Sequence, residues 1–276
     1  MTTNQLPPRP SRSLAGKVVI VTGAGSSGDG LGNGRAIAIL LAEDGAALLC
    51  VDRDMASAQR TADMANAEAK GRAVAFQADV TSSEQCAAMV DRAVGEFGRL
   101  DILVNNVGVL GPAGSAIDTD EAEWARGMEV NVTSMMLASK HALPAMLRNE
   151  RGDQGIRGSI VHMGSVTGLM GWSGSLLYPV SKGAVVQMTR AMAAHHGKDG
   201  IRVNTVCPGM VYTPMVSTTG MTPEHREKRR QRSLLQTEGN AWDVAASVRF
   251  LAGGDARWIT GSVLTVDAGA SCAIEV

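Results

Sequence analysis

Aromatic residues make up only 3 % of this 276-residue chain, and long apolar runs are missing as well. Stretches such as residues 18–21 and 48–51 fall far short of the roughly 20 residues that cross a bilayer as a helix, which excludes a membrane role. Cysteine is scarce: Cys50, Cys86, Cys207 and Cys272 lie far apart and form no CxxC pair. Neither a metal site nor a disulfide framework is legible there, and reduced thiols in a cytoplasmic setting are expected. The formal net charge is −1, so no basic field exists to recruit nucleic acid or an anionic membrane surface. The first thirteen residues, MTTNQLPPRPSRS, carry Pro and polar side chains without a hydrophobic region; they read as a mobile tail over residues 1–13, not as a secretory signal.

Glycine is abundant instead, with 32 residues, and hydrophobic residues make up 45 % of the chain. A Gly- and Ala-rich, aromatic-poor composition suits helices packed closely on a sheet with tight strand-to-helix turns. Strands are expected at Val18–Thr22, Ala47–Asp52, 73–78, Ile102–Asn105, 159–163, 203–206 and Val263–Val266. Several are apolar at consecutive positions, as parallel strands covered on both faces are. Helices are expected at 35–44, 55–69, Ser83–Phe97, 121–148, 179–196 and Ala241–Ala252, with Asp54, Ser82 and Asp120 as N-caps. This alternation predicts an α/β fold: one Rossmann-type, doubly wound parallel sheet of about seven strands with helices on both faces. No linker divides the chain, so residues 14–276 are expected to form a single domain. The stretch 210–238 breaks the rhythm, and a connection this long inside a compact domain predicts a substrate lid.

The first strand runs into TGAGSSGDGLGNGRAIA, residues 22–38. Glycines between a first strand and its helix let the backbone approach a pyrophosphate whose charge sits at the helix N-terminus. Asp52 ends the second strand, where the adenosine ribose hydroxyls of a dinucleotide would lie, and Asn105-Asn106-Val107-Gly108 ends the fourth. Further on, strand five leads into Gly164-Ser165, and Tyr178 and Lys182 follow at i and i+4, on one helical face. Pro179 fits the first turn of that helix. Asn131 sits in Val130-Asn131-Val132.

From Leu14 to Ala270 these residues resemble the single-domain branch of the short-chain dehydrogenase/reductase family. The Thr-Gly-x-x-x-Gly-x-Gly loop, Asn-Asn-x-Gly, Tyr-x-x-x-Lys, Pro-Gly, the Trp258–Gly261 run and the Val266–Gly269 run are all present. One departure stands out: the last two loop glycines of the family come four and six residues after the first, whereas Gly32 and Gly34 come nine and eleven after Gly23. That spacing implies a five-residue insertion within residues 26–31. It leaves open which of Gly25, Gly28 and Gly30 touch a cofactor, and it makes Asp29 a solvent-exposed turn residue.

The resemblance implies a catalytic tetrad of Asn131, Ser165, Tyr178 and Lys182. It implies cofactor contacts from Gly23, Gly32, Gly34, Asp52, Asp79, Val80, Asn105, Gly108, Tyr178, Lys182, Pro208, Gly209, Val211 and Thr213. Lys182 would also hold the nicotinamide ribose, and Asn131 would serve a water-linked proton relay. The cofactor is expected to be NAD rather than NADP, because the Asp52 carboxylate accepts ribose hydroxyls and repels a 2′-phosphate; Arg53 and the insertion weigh on the other side. A homotetramer is implied, with Met135, Met136, Met146, Met188 and Met192 either at its interface or in the core.

The chemistry needs these residue types. Oxidising an alcohol requires a base for the hydroxyl proton as hydride leaves carbon. A free Tyr titrates near ~10, and lowering that to about 7 takes roughly 4 kcal/mol. An ammonium ~5 Å away at an effective dielectric of ~20 supplies about 3 kcal/mol, so Lys182 is expected to go most of the way. Ser165 would hold the substrate oxygen against Tyr178.

The pocket is expected between residues 109–112, 166–173 and 210–215, walled by Val109, Leu110, Val166, Leu169, Met170, Trp172, Met210, Val211 and Met215. That apolar set predicts a hydrophobic or aromatic ketone or secondary alcohol. His162 reads as a core residue, and His195-His196 suit a helix C-terminus. The run TPEHREKRRQR, residues 222–232, reads as a solvated lid helix in preference to a steering patch for an acidic acyl thioester. Enoyl reduction and sugar-nucleotide epimerisation fit less well: enoyl reductases of the family space Tyr and Lys by six residues, and epimerases carry a longer C-terminal region. The remaining alternative is a non-catalytic cofactor-binding scaffold or redox sensor, since fold alone never proves activity.

Overall fold

The computed structural model describes residues 9–27, 30–68, 72–152, 155–172, 174–217 and 220–273. In chain order the elements are β1 (Val18–Thr22), α1 (Asn33–Glu43), β2 (Ala47–Asp52), α2 (Met55–Glu68), β3 (Ala73–Gln77), α3 (Ser83–Phe97), β4 (Ile102–Asn105), α4 (Glu121–Met128), a π-turn (Glu129–Thr133), α5 (Ser134–Leu147), β5 (Gly158–Met163), α6 (Leu177–His196), β6 (Ile201–Pro208), α7 (Pro214–Ser217), α8 (Pro223–Gln231), α9 (Ala241–Ala252) and β7 (Val263–Val266).

The strands form one seven-stranded parallel sheet in the order β3-β2-β1-β4-β5-β6-β7. Consecutive side chains of a strand point to opposite faces, and both faces are covered. Val19 and Val21 pack with Ile37 and Leu41 of α1 and Val244 and Val248 of α9. Ile20, Leu103 and Ile160 pack on the other face with Met89 of α3 and Ala142 and Met146 of α5. Chain direction across the sheet reverses between β1 and β4, and a crevice opens outside the carboxyl ends of the strands at such a switch point. Every residue expected to carry chemistry sits at that edge or on the helices flanking it.

The three expected N-caps form: Asp54 accepts from Ser57 N (3.1 Å), Ser82 from Gln85 N (3.2 Å) and Asp120 from Glu123 N (2.9 Å). Elsewhere the structure departs from the sequence reading. The expected helix 121–148 is interrupted by the π-turn at its middle, where the β-branched run Val130, Val132, Thr133 crowds α-helical geometry. β6 starts two residues before the expected 203–206 and ends two after. Arg202, which lies just before the expected strand, is buried and donates to the carbonyls of Leu251 (2.7 Å), Ala252 (3.1 Å) and Gly253 (3.1 Å), satisfying the C-terminal end of α9. Met135 and Met146 are fully buried core residues, while Met136 is exposed. Of the expected tail, residues 1–8 lie outside the described residues, but Arg12 pairs with Asp255 at 3.1 Å and Leu14 is buried. No described helix is long and apolar enough to cross a membrane.

Candidate active site

The glycine loop closes on itself at the amino end of α1. Gly23 has φ +62, the left-handed region that a β-carbon penalises, and its carbonyl oxygen accepts from Asn106 Nδ2 (2.9 Å). A β-carbon on Gly34 would overlap that same carbonyl oxygen, so only glycine lets the helix start this close to the strand. Gly32 is the extended N-cap of α1 and offers no side-chain cap. Asp52, at the end of β2, accepts from Gly25 N (2.9 Å) and Asp54 N (3.0 Å), which orients its carboxylate beside the loop. A cradle that a β-carbon would fill, at the amino end of a helix, and a carboxylate beside it fit a dinucleotide.

The glycine loop is anchored at Ser26 and at Gly30. Ser57 Oγ accepts from Ser26 N (2.8 Å) and donates to Ser26 O (2.9 Å). At the far end, buried Arg35 donates to Gly30 O (2.7 Å) and to Thr61 Oγ1 (3.0 Å). Gly25 packs on Asp52, and Gly30 lies against Pro214 of α7. Gly28 and Asp29 lie outside the described residues.

At the next strand ends, Asp79 follows β3 and accepts from Thr81 N (2.9 Å) and Oγ1 (2.7 Å); these bonds, helped by Arg126 and Arg53, hold its carboxyl below the ordinary range. Val80 is buried. Asn105 turns its amide inward, donating to Ser139 Oγ (3.2 Å) and meeting His162 Nδ1 (3.1 Å), so any contact it makes with a cofactor runs through its backbone. Asn106, which the sequence reading did not single out, is the residue that reaches the glycine loop. Gly108 lies where a β-carbon would stand 3.1 Å from Lys182 Nζ.

Three local devices bring the tetrad together. Ser165 follows β5 in an extended conformation, and its Oγ accepts from Thr167 N (3.2 Å) and Thr167 Oγ1 (2.9 Å). Gly168, at the end of that turn, lies against the Lys182–Gly183 backbone, where a β-carbon would sit 2.5 Å from the Lys182 carbonyl carbon. That contact docks the Ser165 turn directly onto α6. Ser175 Oγ accepts from Tyr178 N (3.3 Å) at the start of α6. Asn131, buried in the π-turn, accepts from Val109 N (2.8 Å) and donates to Val109 O (2.9 Å) and Ser181 Oγ (3.0 Å). Both amide hydrogens are engaged, so its side chain pins the loop after β4 against α6.

Burial dominates the electrostatics. Tyr178 is pushed above its ordinary value by desolvation, partly offset by a hydrogen bond with Ser165. Lys182 is pushed down to about 8 by burial, and its Nζ donates to Met163 O (2.9 Å) while lying 5.7 Å from the Tyr178 ring centroid. The expected fall of the phenol toward neutrality is therefore not a property of the protein alone: removal from water outweighs the Ser165 hydrogen bond. His162 is fully buried and pushed down to about 4 by desolvation and by Lys182, in keeping with a core role.

The segment after β6 carries the remaining expected contacts. Pro208 ends the strand, and Gly209 packs on Asp267, its N–H donating to Val266 O (2.9 Å). Val211 pairs with Gly239, and the Thr213 carbonyl accepts from Val216 N and Ser217 N, both 2.9 Å. A cleft of about 410 Å³ lined by Gly30, Leu31, Tyr212, Thr213, Pro214 and Trp242, among others, lies between the glycine loop and the segment after β6. In α8, Lys228 pairs with Glu224 and Arg230 with Glu227, and Arg226 forks onto Glu238 over the Tyr212 ring. These exposed pairs are those of a solvated helix.

Comparison with known proteins agrees with this geometry. The family model described as enoyl-(acyl carrier protein) reductase matches residues 29–271. The meso-2,3-butanediol dehydrogenase of Serratia marcescens is 38 % identical over 255 residues, covering 92 % of this chain and 94 % of its own. The cis-4-hydroxycyclohexanecarboxylate dehydrogenase of Sinomonas cyclohexanicum is 37 % identical, covering 93 % and 97 %. A crystal structure described as a short-chain dehydrogenase/reductase from Burkholderia xenovorans superimposes with a TM-score of 0.86 at 39 % identity, covering 95 % of this chain and 99 % of that one. With dehydrogenase relatives matching nearly end to end, the chain belongs to the short-chain dehydrogenase/reductase family and is an NAD(P)-dependent oxidoreductase that interconverts a secondary alcohol and a ketone.

Proposed function

We propose that Tyr178 is the general acid and base of this reaction, that the substrate is a hydrophobic or aromatic ketone or its secondary alcohol, and that NAD is the working cofactor. The observation that carries the reading is the convergence of Ser165, Tyr178 and Lys182 on α6 and the β5 edge, beside a glycine loop shaped for a dinucleotide. In oxidation the Tyr178 phenolate takes the substrate hydroxyl proton; in reduction the phenol gives it back. Ser165 Oγ, already bonded to Thr167, holds the substrate oxygen at hydrogen-bond distance from the phenol. Lys182 stabilises the phenolate, its own burial eased by the Met163 carbonyl, and it would hold the nicotinamide ribose. Asn131 keeps the Val109 loop and α6 in register, so a water-linked relay would pass its backbone and not its amide. When bound, the nicotinamide supplies the hydride acceptor or donor and, oxidised, a positive charge that helps offset burial of the phenolate.

Exposed Val109, Leu169, Met170, Trp172 and Met215 support an apolar substrate. Ser173, also expected in this wall, lies outside the described residues. Asp52 beside Gly25 supports NAD. The stretch 210–238 acts as the lid of a single domain formed by residues 14–276. Exposed Met136, Phe250 and Trp258 support a homotetramer, and four free cysteines support a cytoplasmic setting. The test is a hydride-transfer assay over a panel of ketones and secondary alcohols with each cofactor. Turnover favouring apolar, ring-bearing members with NAD is expected; a preference for free sugars or small polar ketones would overturn the substrate reading.

A further inference from the structure

Trp172 is 42 % exposed, yet its indole is held in place. Its ring centroid lies 6.1 Å from that of Tyr178, with the planes at 77°, the edge-to-face arrangement that aromatic pairs favour. Its six-membered ring lies over Gly174, where a β-carbon would sit 2.5 Å from Trp172 Cζ2. Gly174 is itself tied down: its carbonyl accepts from Gly114 N (3.3 Å), and Leu176 N donates to Gly114 O (3.0 Å). These bonds frame a short parallel bridge between Gly114 and Ser175, and Ser175 in turn accepts from Tyr178 N. The strap that starts α6 therefore fixes the indole and the phenol together, and it joins the loop after β4 to the loop after β5.

We propose that Trp172 is the specificity-determining residue for the larger substituent of the substrate, an inference that rests on the proton-transfer role given above to Tyr178. A ketone bonded to the Tyr178 phenol carries one substituent on each side of its carbonyl. The indole stands upright beside that phenol and cannot retreat, because Gly174 backs it. Its exposed surface accepts a flat apolar ring, such as a phenyl or cyclohexyl group, by face or edge contact. The other substituent must then point away, so the same wall fixes which face of the carbonyl meets the hydride, and hence which enantiomer forms. A small aliphatic ketone gains little from the indole and is held less uniquely.

The test compares acetophenone with butanone on the whole protein with its cofactor, measuring kcat and KM for each and the enantiomer ratio of the 1-phenylethanol formed. Trp172→Ala should lower the acetophenone-to-butanone ratio of kcat/KM by at least about tenfold, mainly through KM, and erode the enantiomer ratio, while the pH profile keeps its shape. Gly174→Ala should move both readouts the same way with the indole still present, because the added methyl displaces it. Trp172→Phe should restore most of the selectivity. If Trp172→Ala leaves both the substrate ratio and the enantiomer ratio unchanged, the proposal is wrong. Equal loss on both ketones would overturn it too, making Trp172 a support for Tyr178 alone. Failure of the unaltered protein to reduce any ketone would instead overturn the proposed function. Should Gly174→Ala fail to fold, the two Trp172 variants decide.

Discussion

Lys182 holds its ammonium nitrogen 5.7 Å from the centroid of the Tyr178 ring while donating to the Met163 carbonyl oxygen 2.9 Å away. One helical turn thus places the cation against the phenol and ties it to the strand that delivers Ser165. Tyr178→Phe keeps the ring and its contact with Trp172 but removes the proton carrier. Turnover should fall at least ~10²-fold with cofactor affinity retained. Near-normal turnover of the best substrate by the Phe variant would falsify the mechanism.

The same pair sets a pH dependence that differs between the two directions. Oxidation needs the phenolate, and burial raises the pKa of the Tyr178 phenol, so kcat/KM for the alcohol should climb with pH through the neutral and mildly alkaline range. Reduction needs the phenol and should not climb with it. Parallel profiles recorded in both directions, each flat in that range, would show that another group moves the proton.

Asp52 bonds Gly25 N and Asp54 N, which leaves lone pairs on both carboxylate oxygens for ribose hydroxyls. Asp52→Ala should cut the NAD-to-NADP ratio of kcat/KM by about tenfold or more, the size of hydrogen bonds to a charged group. A chain that prefers NADP before the substitution would show that the inserted loop or Arg53 governs this corner.

Gly34→Ala adds a methyl that must displace the Gly23 carbonyl. Overpacking of this kind costs about 1–3 kcal/mol, and the shift falls on the loop expected to receive the pyrophosphate. Both the melting temperature and the affinity for cofactor should drop. Unaltered cofactor binding, read by fluorescence titration, would mean that the loop is not the phosphate cradle.

His162 offers a test of stability. Its pKa is pushed down to about 4 by burial and by Lys182, against about 6.5 in an unfolded chain. The unfolded state therefore binds more protons between these values, and stability, complete above pH ~6.5, should decline as the pH falls toward 4. The full difference is on the order of 3 kcal/mol. His162→Asn keeps an acceptor for Asn105 and removes the titration, so denaturant midpoints measured across that window should lose part of their acid slope. An unchanged slope would place the acid sensitivity elsewhere.

Much of the sheet is legible in the sequence because parallel strands buried on both faces are written as unbroken apolar runs. β1, β2, β4 and β7 begin and end where Lys17, Gly45-Ala46, Asp101 and Ser262 break or precede those runs. β6 is not, because Arg202 reads as lying before the strand until its bonds to the α9 carbonyls are known. Tyr178, Lys182 and the glycines announce themselves through short spacings. Asn106 reaching Gly23, Asn131 clasping Val109 and Trp172 against Tyr178 do not, because each contact is made by folding and joins positions that no local pattern relates.

The π-turn Glu129–Thr133 fits one more residue into its turn than an α-helix would. The extra residue, together with the β-branched side chains around it, sets where Asn131 faces. Deleting one residue of the turn would let α4 and α5 fuse into an unbroken helix whose two halves keep nearly their present faces, because the wide turn absorbs the extra residue; what is lost is the local bulge that carries the Asn131 amide to Val109 and Ser181. The shortened chain would fold into a sturdier rod beside a site that no longer closes. Stability and activity are opposed there by a single unit of length, and natural variation in this segment should tolerate exchange of residues far better than their loss.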